Sequence, residues 1–363
     1  MKFYLTNGDL AAACKAIAGS LPKEKLSAWR FVRIEAAEKN VTFTACDGDI
    51  QIEKRVRATV DAPGAVLVDG RRFVAFAGSM PSGDVEISTP AVEKVAIASG
   101  EVRFTMIASG TEDWPSFVGP GAEGETALFL PDITLREMLR KTAWAMSTYA
   151  TRKNLQCVHF EIADGKLTMA ATNGKSLAMI EHEAYAQKNA DVSLPAALVG
   201  VLLSLIGDGR GDARLAFDGR AIRVTCDDWS VTSRTLGSKY PNWRHVVPGE
   251  QPSACTVDRA AFLAEVGRAA LSSPDTGCVT VGFGDHVVKF AAECELSRYK
   301  SEVEADVVGE GGKFDFDFRL IKAALGCLDS DYVTIHFTNA ESSPVVFKAE
   351  LPWLAVVMPL RRD

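Results

Sequence analysis

Apolar segments recur along the chain at a nearly constant spacing. Six of them begin at positions 3, 66, 128, 192, 255 and 314, so the successive offsets are 63, 62, 64, 63 and 59 residues. In each segment the residue two positions further on is also apolar, which is the period of a half-buried β-strand. Further apolar residues stand seven and eleven positions after each start, and such an i, i+4 pair lies on one helix face. The pattern predicts six copies of a strand followed by a helix.

The residues that precede the predicted helices support this interpretation. In five copies a side-chain oxygen that can cap a helix stands there, and the fourth helix is entered through Pro195. The five capping residues are Thr6, Asp69, Asp132, Asp258 and Asp317. After each helix, alternating apolar runs with turn signals such as Ala163-Asp164-Gly165 predict further strands. Each copy is therefore predicted to be β-α-β-β-β, and the predicted fold class is α+β.

Single copies of this size would leave strand edges exposed, so we expect neighbouring copies to pair into three similar domains. Stretches rich in Gly, Pro and Glu at 118–126 and 247–253 mark the joins between them. We predict domains over residues 1–120, 126–247 and 253–363. The repeat alone is compatible with an arc, a solenoid or a compact duplication.

The positive charge is concentrated in the predicted helices. The chain has a formal net charge of −7, but its six helical stretches contain ten basic and five acidic residues, which leaves −12 for the rest. A surface built from these helices would attract phosphates without reading base sequence. Basic helix faces are also common where helices are simply solvated. Charge therefore leaves both interpretations open.

No motif in the sequence indicates catalysis, a metal site or a cofactor, and we predict none of the three. The five histidines are isolated from one another, and the eight cysteines form no C-x-x-C pair. The sequence shows neither a signal peptide nor an apolar stretch long enough to cross a bilayer. We therefore predict a cytoplasmic protein with no membrane partner. An enzyme is the third of the functions that we consider, after the two that are given below.

Four short segments occur in the order and at the distances found in one known family. They are Met1-Lys2-Phe3, the run TNGKSLA at 172–178, the run YPNWR at 240–244 and the run VVMPLR at 356–361. With the sixfold repeat, they make the chain resemble the bacterial DNA polymerase III beta subunit family, the sliding clamps. The resemblance implies a DNA-clamp fold in which helices line the inside of a ring and sheets form the outside.

The same resemblance implies a function and a set of partners. A head-to-tail homodimer would encircle double-stranded DNA of any sequence and tether replicative and repair polymerases for processive synthesis. DNA polymerases, the clamp loader and repair proteins would bind through short linear motifs. The alternative function is a peptide-binding adaptor or scaffold of the same fold that no longer encircles DNA.

Matched positions also imply contacts with DNA. The matched residues are Lys23, Lys25, Arg71, Arg72, Arg152 and Lys153. The basic charge of the third predicted helix adds Arg140 and Lys141 as further candidates. For Arg71 and Arg72, a solvated first helical turn is an equally good interpretation of the residues alone.

The dimer contact, by the same match, involves Arg103, Phe104 and Met106 of one chain and Leu271 of the other. Alternating strand residues of this kind pack protein cores as readily as they pack interfaces. The sequence leaves these two roles open.

A peptide-binding pocket between the second and third domains is the other site that the resemblance implies. Its matched residues are Leu155, Thr172, Gly174, Leu177, Pro241, Val246, Ser343, Val357, Met358, Pro359, Leu360 and Arg361. Lys175, Ser176 and His245 depart from the residues usual in the family, which puts the polar rim of the pocket in question. Taken alone, residues 356–360 also fit a buried terminal strand that ends at a proline.

Overall fold

The computed structural model describes residues 1–24, 27–112, 114–121, 126–184, 186, 188–207, 211–349 and 352–361. Within this part of the chain there are six α-helices, one in each predicted copy of the repeat. They are α1 (Asn7–Ile17), α2 (Gly70–Ala77), α3 (Asp132–Ala143), α4 (Ala196–Leu205), α5 (Arg259–Ala270) and α6 (Phe318–Gly326). None of these helices is both long and apolar enough to cross a membrane.

The strands follow the predicted β-α-β-β-β order in all six copies, and the first copy has one additional strand. The first two copies contain β1 (Lys2–Thr6), β2 (Phe31–Ala37), β3 (Asn40–Cys46), β4 (Ile50–Arg57), β5 (Thr59–Ala62), β6 (Gly64–Asp69), β7 (Asp84–Ala91), β8 (Lys94–Ser99) and β9 (Val102–Ser109). The next two contain β10 (Thr126–Pro131), β11 (Cys157–Ala163), β12 (Lys166–Thr172), β13 (Ser176–Glu183), β14 (Ala190–Pro195), β15 (Asp212–Phe217), β16 (Ala221–Thr225) and β17 (Trp229–Arg234). The last two contain β18 (Ser253–Asp258), β19 (Cys278–Gly284), β20 (Val287–Cys294), β21 (Ser297–Val308), β22 (Gly312–Asp317), β23 (Tyr332–Phe337), β24 (Val345–Lys348) and β25 (Trp353–Val357).

Four of the five predicted capping residues accept a hydrogen bond from a backbone N–H in the first turn of their helix. They are Thr6, Asp69, Asp258 and Asp317, with distances between 2.7 and 3.1 Å. Such a cap contributes about 1 kcal/mol to helix stability. Asp132 differs, because it is the first residue of α3 and its Oδ1 is buried without a hydrogen-bond partner.

The chain forms two compact units. The first contains Met1–Thr134 and Gly200–Thr235, and its 13-stranded sheet has the order β10-β15-β16-β17-β4-β3-β2-β6-β9-β8-β7-β1-β5. Its core includes the fully buried rings of Phe43 and Phe73, whose centroids lie 5.9 Å apart. Each such ring removes a large apolar area from water, which stabilises the unit.

The second unit contains Leu135–Val199 and Leu236–Asp363. Its 12-stranded sheet has the order β14-β11-β12-β13-β25-β24-β23-β18-β21-β20-β19-β22. Phe262 of α5 meets Phe290 of β20 edge to face at 5.0 Å, so this helix packs on one face of the sheet. Strands β11, β12, β13 and β25 carry the candidate site.

The third strand after the helix pairs with its counterpart in another copy in four copies and is partly open in the other two. β4 pairs with β17, and β13 pairs with β25, both antiparallel. Residues 102–107 of β9 pair with β8 alone, and residues 297–304 of β21 pair with β20 alone, among the described strands. We call these two segments the β9 edge and the β21 edge.

Candidate functional site

The segment 236–247 covers one face of the sheet in the second unit. Tyr240 and Trp243 of this segment are buried against a row of strand residues. That row includes Cys157, Ala170, Leu177, Val346 and Val356, and Leu155 packs against it. Because Leu177 lies opposite Val356 in the sheet, their side chains share one face. The structure thus brings the predicted pocket residues Leu155 and Leu177 together, as part of one apolar cluster.

A tight turn between β12 and β13 borders this cluster. Thr172 Oγ1 donates to the carbonyl oxygen of Ser176 (2.7 Å) and accepts from the N–H of Gly174 (3.1 Å). Gly174 has φ +86°, in the left-handed region that favours glycine. A Cβ at this position would lie 2.5 Å from Nη1 of Arg152. The turn therefore requires glycine both for its backbone and for its neighbour.

The two residues that depart from the family at this turn have different environments. Ser176 is 3% exposed, and its Oγ accepts from Nδ2 of Asn173 at 3.0 Å. Lys175 is exposed to solvent. Of these two residues, only Lys175 is available at the surface of the turn.

The residues after β25 are attached to the sheet at two points. Met358 donates its backbone N–H to the carbonyl oxygen of Lys175 (2.9 Å), and Leu360 donates to that of Asp315 (2.7 Å). Met358 is 38% exposed, and Arg361 is also exposed. The segment therefore presents Met358 beside the 172–176 turn and Arg361 further along.

Several predicted pocket residues lie beneath the surface. Val357 is fully buried, Leu177 is 2% exposed, and Pro359 is buried. These three side chains are therefore not available to a ligand at the surface of this structure. By contrast, Pro241 and Val246 are exposed on the covering segment, and Ser343 and Leu360 are half-buried.

A polar cavity of about 350 Å³ adjoins the terminal segment. It is lined by Lys313, Asp315, Glu341, Ser342, Leu360 and Arg361. Asp315 is 8% exposed and accepts a hydrogen bond from Oγ1 of Thr280 at 2.5 Å. Leu360 and Arg361 thus lie beside a polar space.

A chain of charged and aromatic groups holds the covering segment. Arg244 donates from Nη1 to Oε2 of Glu161 (2.8 Å), and its guanidinium lies 4.4 Å from the Trp243 ring. The His159 ring stacks on Tyr240 with centroids 4.6 Å apart. Burial lowers the pKa of His159, although the carboxylates of Asp191 and Glu161 oppose this shift. The sequence pattern of residues 240–244 predicted no role for Tyr240, Trp243 or Arg244.

Three predicted DNA contacts of the first unit lie near one another: Lys23 is in contact with Arg71, and Arg72 follows Arg71 in sequence. Arg71 donates from Nη2 to the carbonyl oxygens of Pro22 (2.7 Å) and Lys23 (2.5 Å). The side chains of Lys23, Arg71 and Arg72 are exposed. Lys25 lies outside the described residues. The start of α2 and the loop before it therefore form one basic surface.

In the second unit, Arg152 and Lys153 are also exposed. Arg152 donates from Nη1 to the carbonyl oxygen of Asn173 at 2.8 Å. Arg140 forms an ion pair with Asp329, which lowers the pKa of that carboxyl group. Arg140 therefore already has an acidic partner within its own chain.

The prediction that Lys141 contacts DNA is wrong. This residue is 1% exposed, and its Nζ lies 3.8 Å from Oε2 of Glu137. It lies on the buried face of α3 with Met138 and Thr142. A count of charges along a helix does not reveal which charges face the core, and that is why the prediction failed.

The predicted dimer residues differ in exposure. Leu271, directly after α5, is 80% exposed, and Phe104 is half-buried against Phe76 with ring centroids 3.9 Å apart. Met106 is 7% exposed and belongs to the core of its own unit. Arg103 folds back, donating from Nη1 to the carbonyl oxygens of Gly100 (2.5 Å) and Val102 (3.0 Å).

No three His, Cys, Asp or Glu residues come close enough to hold a metal ion anywhere in the described part of the chain. Burial raises the pKa of the Cys14, Cys46 and Cys255 thiols to about 12, so these groups stay protonated at neutral pH. They are core residues.

The α+β fold built from these repeats is that of the DNA sliding clamps. The structure of the DNA polymerase sliding clamp from Bacillus subtilis superposes with a TM-score of 0.92, covers 100% of both chains and is 20% identical. A sliding clamp from Pseudomonas aeruginosa bound to griselimycin gives the same score at 22% identity, again over 100% of both chains. The predicted fold class is confirmed.

The family follows from the sequence comparison. The N-terminal, central and C-terminal domains of the DNA polymerase III beta subunit match residues 1–118, 129–242 and 244–361. The chain belongs to the DNA polymerase III beta subunit family. A beta sliding clamp from Staphylococcus aureus is 26% identical over 329 residues, which is 87% of each chain.

Membership of this family establishes the broad function. The family is a non-catalytic processivity factor of DNA replication, so the predictions of a sliding clamp and of a protein that is not an enzyme are confirmed. It also implies DNA and a DNA polymerase as partners, and a dimer as the assembly.

Proposed function

We propose that this chain forms a cytoplasmic homodimeric ring that encloses double-stranded DNA and holds replicative and repair polymerases on it. Each protomer would have domains at 1–120, 126–247 and 253–363. The observation that carries the proposal is that, among the described strands, the β9 edge and the β21 edge are unpaired on one side, whereas the corresponding strands β4, β13, β17 and β25 of the other copies are paired with one another.

The pairing inside the chain suggests how two chains would join. β4 pairs with β17 and β13 with β25, so the third strand after the helix of one copy joins the third strand after the helix of another, antiparallel. The same rule applied to the two remaining strands pairs the β9 edge of one protomer with the β21 edge of its partner. Unlike edges give a head-to-tail contact, and two such contacts close a ring.

Side chains near the two edges fit this contact. Leu271 is 80% exposed in the protomer, and the Phe76–Phe104 stack is only half-buried. A large exposed leucine becomes favourable when an apolar partner covers it. We propose that Leu271 packs against Phe104 of the partner, with Arg103 at the rim and Met106 supporting from the core.

The exposed basic side chains would hold DNA weakly. Lys23, Arg71 and Arg72, together with Arg152 and Lys153, offer charge without a groove-reading element, and Lys25 extends this set by matched position. Contacts to phosphate position a protein on DNA without specifying sequence. A closed ring needs no strong contact, because it leaves DNA only at an end or by opening.

The groove beside the 172–176 turn would bind short linear motifs of DNA polymerases, the clamp loader and repair proteins. Its exposed contacts are Val246, Pro241 and Met358, with Leu155, Thr172, Leu360 and Arg361 around them. An unbranched methionine adapts to different peptide side chains. The Pseudomonas aeruginosa clamp binds griselimycin, and we propose that griselimycin binds this groove also.

Loading on circular DNA tests the ring. The protein is loaded onto nicked circular duplex by a clamp loader, washed in high salt, and the DNA is then linearised. We expect the protein to stay on the circle and to leave the linear DNA. Retention after linearisation would contradict enclosure, and failure to load by a protein that still binds griselimycin would indicate an adaptor.

A further inference from the structure

The exposed contacts Pro241 and Val246 lie on a segment that needs positioning. Among the described backbone hydrogen bonds, those of residues 242–247 are local, from His245 to Asn242 and from Val247 to Arg244. The buried Tyr240 hydroxyl and Trp243 Nε1 have no hydrogen-bond partner in the structure. The backbone of the segment is attached to the sheet at its start, where Leu236 donates to the carbonyl oxygen of Ser193 (3.2 Å), so residues 242–247 depend on side chains for polar attachment.

Arg244 supplies such an attachment. Its Nη1 donates to Oε2 of Glu161 on β11 at 2.8 Å, while its guanidinium covers the Trp243 ring at 4.4 Å. A charge-assisted hydrogen bond and a cation–π contact act on the same group. Arg244 thus fastens Trp243 and the residues beside it onto β11.

His159 lies at the other side of the same carboxylate. Its Nε2 is 3.8 Å from Oε2 of Glu161, the oxygen that accepts from Arg244, and its Nδ1 is 3.6 Å from Oδ1 of Asp191. The ring is 5% exposed and lies parallel to the Tyr240 ring, within 4°. A protonated His159 would become a second cation at the oxygen that holds Arg244.

Within the described part of the chain, three charged groups act most strongly on His159. Glu161 faces it from its own strand, Asp191 from β14, and Arg244 from the covering segment. On β12 the residue opposite His159 is Ala170, and on β14 it is Ser193. Two acids and one base therefore decide what protonation does here.

We propose that Arg244, Glu161 and His159 position the segment carrying Pro241 and Val246, and that protonation of His159 loosens this segment and weakens ligand binding in the groove. The inference rests on the groove being the ligand site proposed above. Protonated His159 would draw Glu161 toward itself and repel Arg244. Arg244 would then leave the Trp243 ring, and Pro241 and Val246 would lose their fixed position.

The direction of the pH effect follows from burial. Burial lowers the pKa of His159 below its ordinary value of about 6.5, so the ring is neutral at pH 7.5. Acidification below the lowered pKa protonates the ring. Binding is therefore expected to be strongest at neutral pH and to weaken on the acid side.

Griselimycin binding to the full chain tests this inference by calorimetry at pH 7.5 and 5.5. We expect wild-type affinity to be lower at pH 5.5 than at pH 7.5, with a fall of up to about fivefold, the scale of losing one partly exposed ion pair. His159→Gln should show the same affinity at both pH values, whatever its affinity at pH 7.5. Glu161→Gln should bind about fivefold more weakly already at pH 7.5, and Arg244→Lys should retain part of the affinity.

A matched control is available on the same sheet. Lys166 and Glu181 form an ion pair, with Nζ and Oε2 3.2 Å apart. This pair is not part of the covering segment, so Glu181→Gln should leave the affinity for griselimycin and its pH dependence unchanged. Thermal unfolding of each variant at pH 7.5 identifies any that does not fold. If Glu161→Gln does not fold, the pH comparison between wild type and His159→Gln still decides the question.

The possible results distinguish a failure of this inference from a failure of the groove as the ligand site. A fall in affinity that persists in His159→Gln, or no fall in the wild type, would overturn the role of His159. If Glu161→Gln binds griselimycin as tightly as the wild type at pH 7.5, only the positioning role of Glu161 is overturned. If the wild type does not bind griselimycin at pH 7.5, both this inference and the proposed groove are wrong.

Discussion

Arg152 donates a hydrogen bond from Nη1 to the backbone carbonyl oxygen of Asn173, 2.8 Å away. Asn173 belongs to the turn that borders the groove, and Arg152 is one of the exposed cations proposed to contact DNA. One side chain therefore links the basic loop after α3 to the groove turn. A change in the turn is expected to reach both surfaces.

Replacing Gly174 tests that link. Gly174→Ala would place a side chain in a left-handed conformation, which costs about 1–2 kcal/mol, and would also displace the Arg152 guanidinium. We expect a lower melting temperature and weaker griselimycin binding. Gly165→Ala is the control, because Gly165 has φ +75° with open space around it. Equal binding by the two variants would show that the contact with Arg152 is irrelevant to the groove.

Arg72 and Lys141 are expected to behave oppositely toward DNA. Arg72 is exposed, so Arg72→Gln should reduce the slope of log affinity against log salt by about 0.9 for a lost phosphate contact. Lys141 is buried, so Lys141→Met should leave that slope unchanged. Both slopes can be measured by fluorescence anisotropy with labelled duplex. A reduced slope in Lys141→Met would mean that the Lys141 side chain becomes exposed when DNA is present.

Leu271 should matter for assembly more than for folding. Since this side chain is 80% exposed in the protomer, Leu271→Ala should barely change protomer stability. Losing a covered leucine at a dimer contact weakens dimerisation about tenfold or more. Sedimentation equilibrium gives the dimer dissociation constant. Phe129→Ala, at a residue 65% exposed on β10, is the matched control and should leave dimerisation unaltered.

The stability of the protein should fall in mild acid partly because of His159. Burial lowers the pKa of this ring, whereas in the unfolded chain it titrates near 6.5. Below that pH the unfolded state binds more protons, so stability is complete above about pH 6.5 and is lost as pH falls. The contribution of one such group is at most about 1.4 kcal/mol per pH unit.

Urea unfolding at pH 5, 6, 7 and 8 measures this effect. The difference in unfolding free energy between pH 7 and pH 5 should be smaller in His159→Gln than in the wild type. Burial lowers the pKa of His336 also, so His336→Gln serves as a second titration variant. Identical pH profiles for wild type and His159→Gln would rule out a contribution from His159.

The repeated elements were predictable because they depend on local spacing. Period-2 apolar residues in the strands and i, i+4 pairs in the helices repeat every 59 to 64 positions, and all six strand–helix pairs are present. The caps at Thr6, Asp69, Asp258 and Asp317 were predictable for the same reason. Each depends on contacts within three residues.

What failed or was missed depends on residues far apart in the chain. The exposure of Lys141 depends on packing in the second unit, where Trp353, 212 residues away, donates to its carbonyl oxygen. Glu161 and Arg244 are 83 residues apart, so no local pattern pairs them. The β9 and β21 edges became visible only with the strand pairing, which a repeat length does not specify.

The open edges also bear on how the protein behaves when it is dilute. A protomer without a partner presents two rows of unpaired backbone N–H and C=O groups, and such rows are templates for aggregation. We expect light scattering to rise with time below the dimer dissociation constant, even though each protomer is folded. Adequate concentration would then protect this protein from precipitation, which is the reverse of the usual dependence.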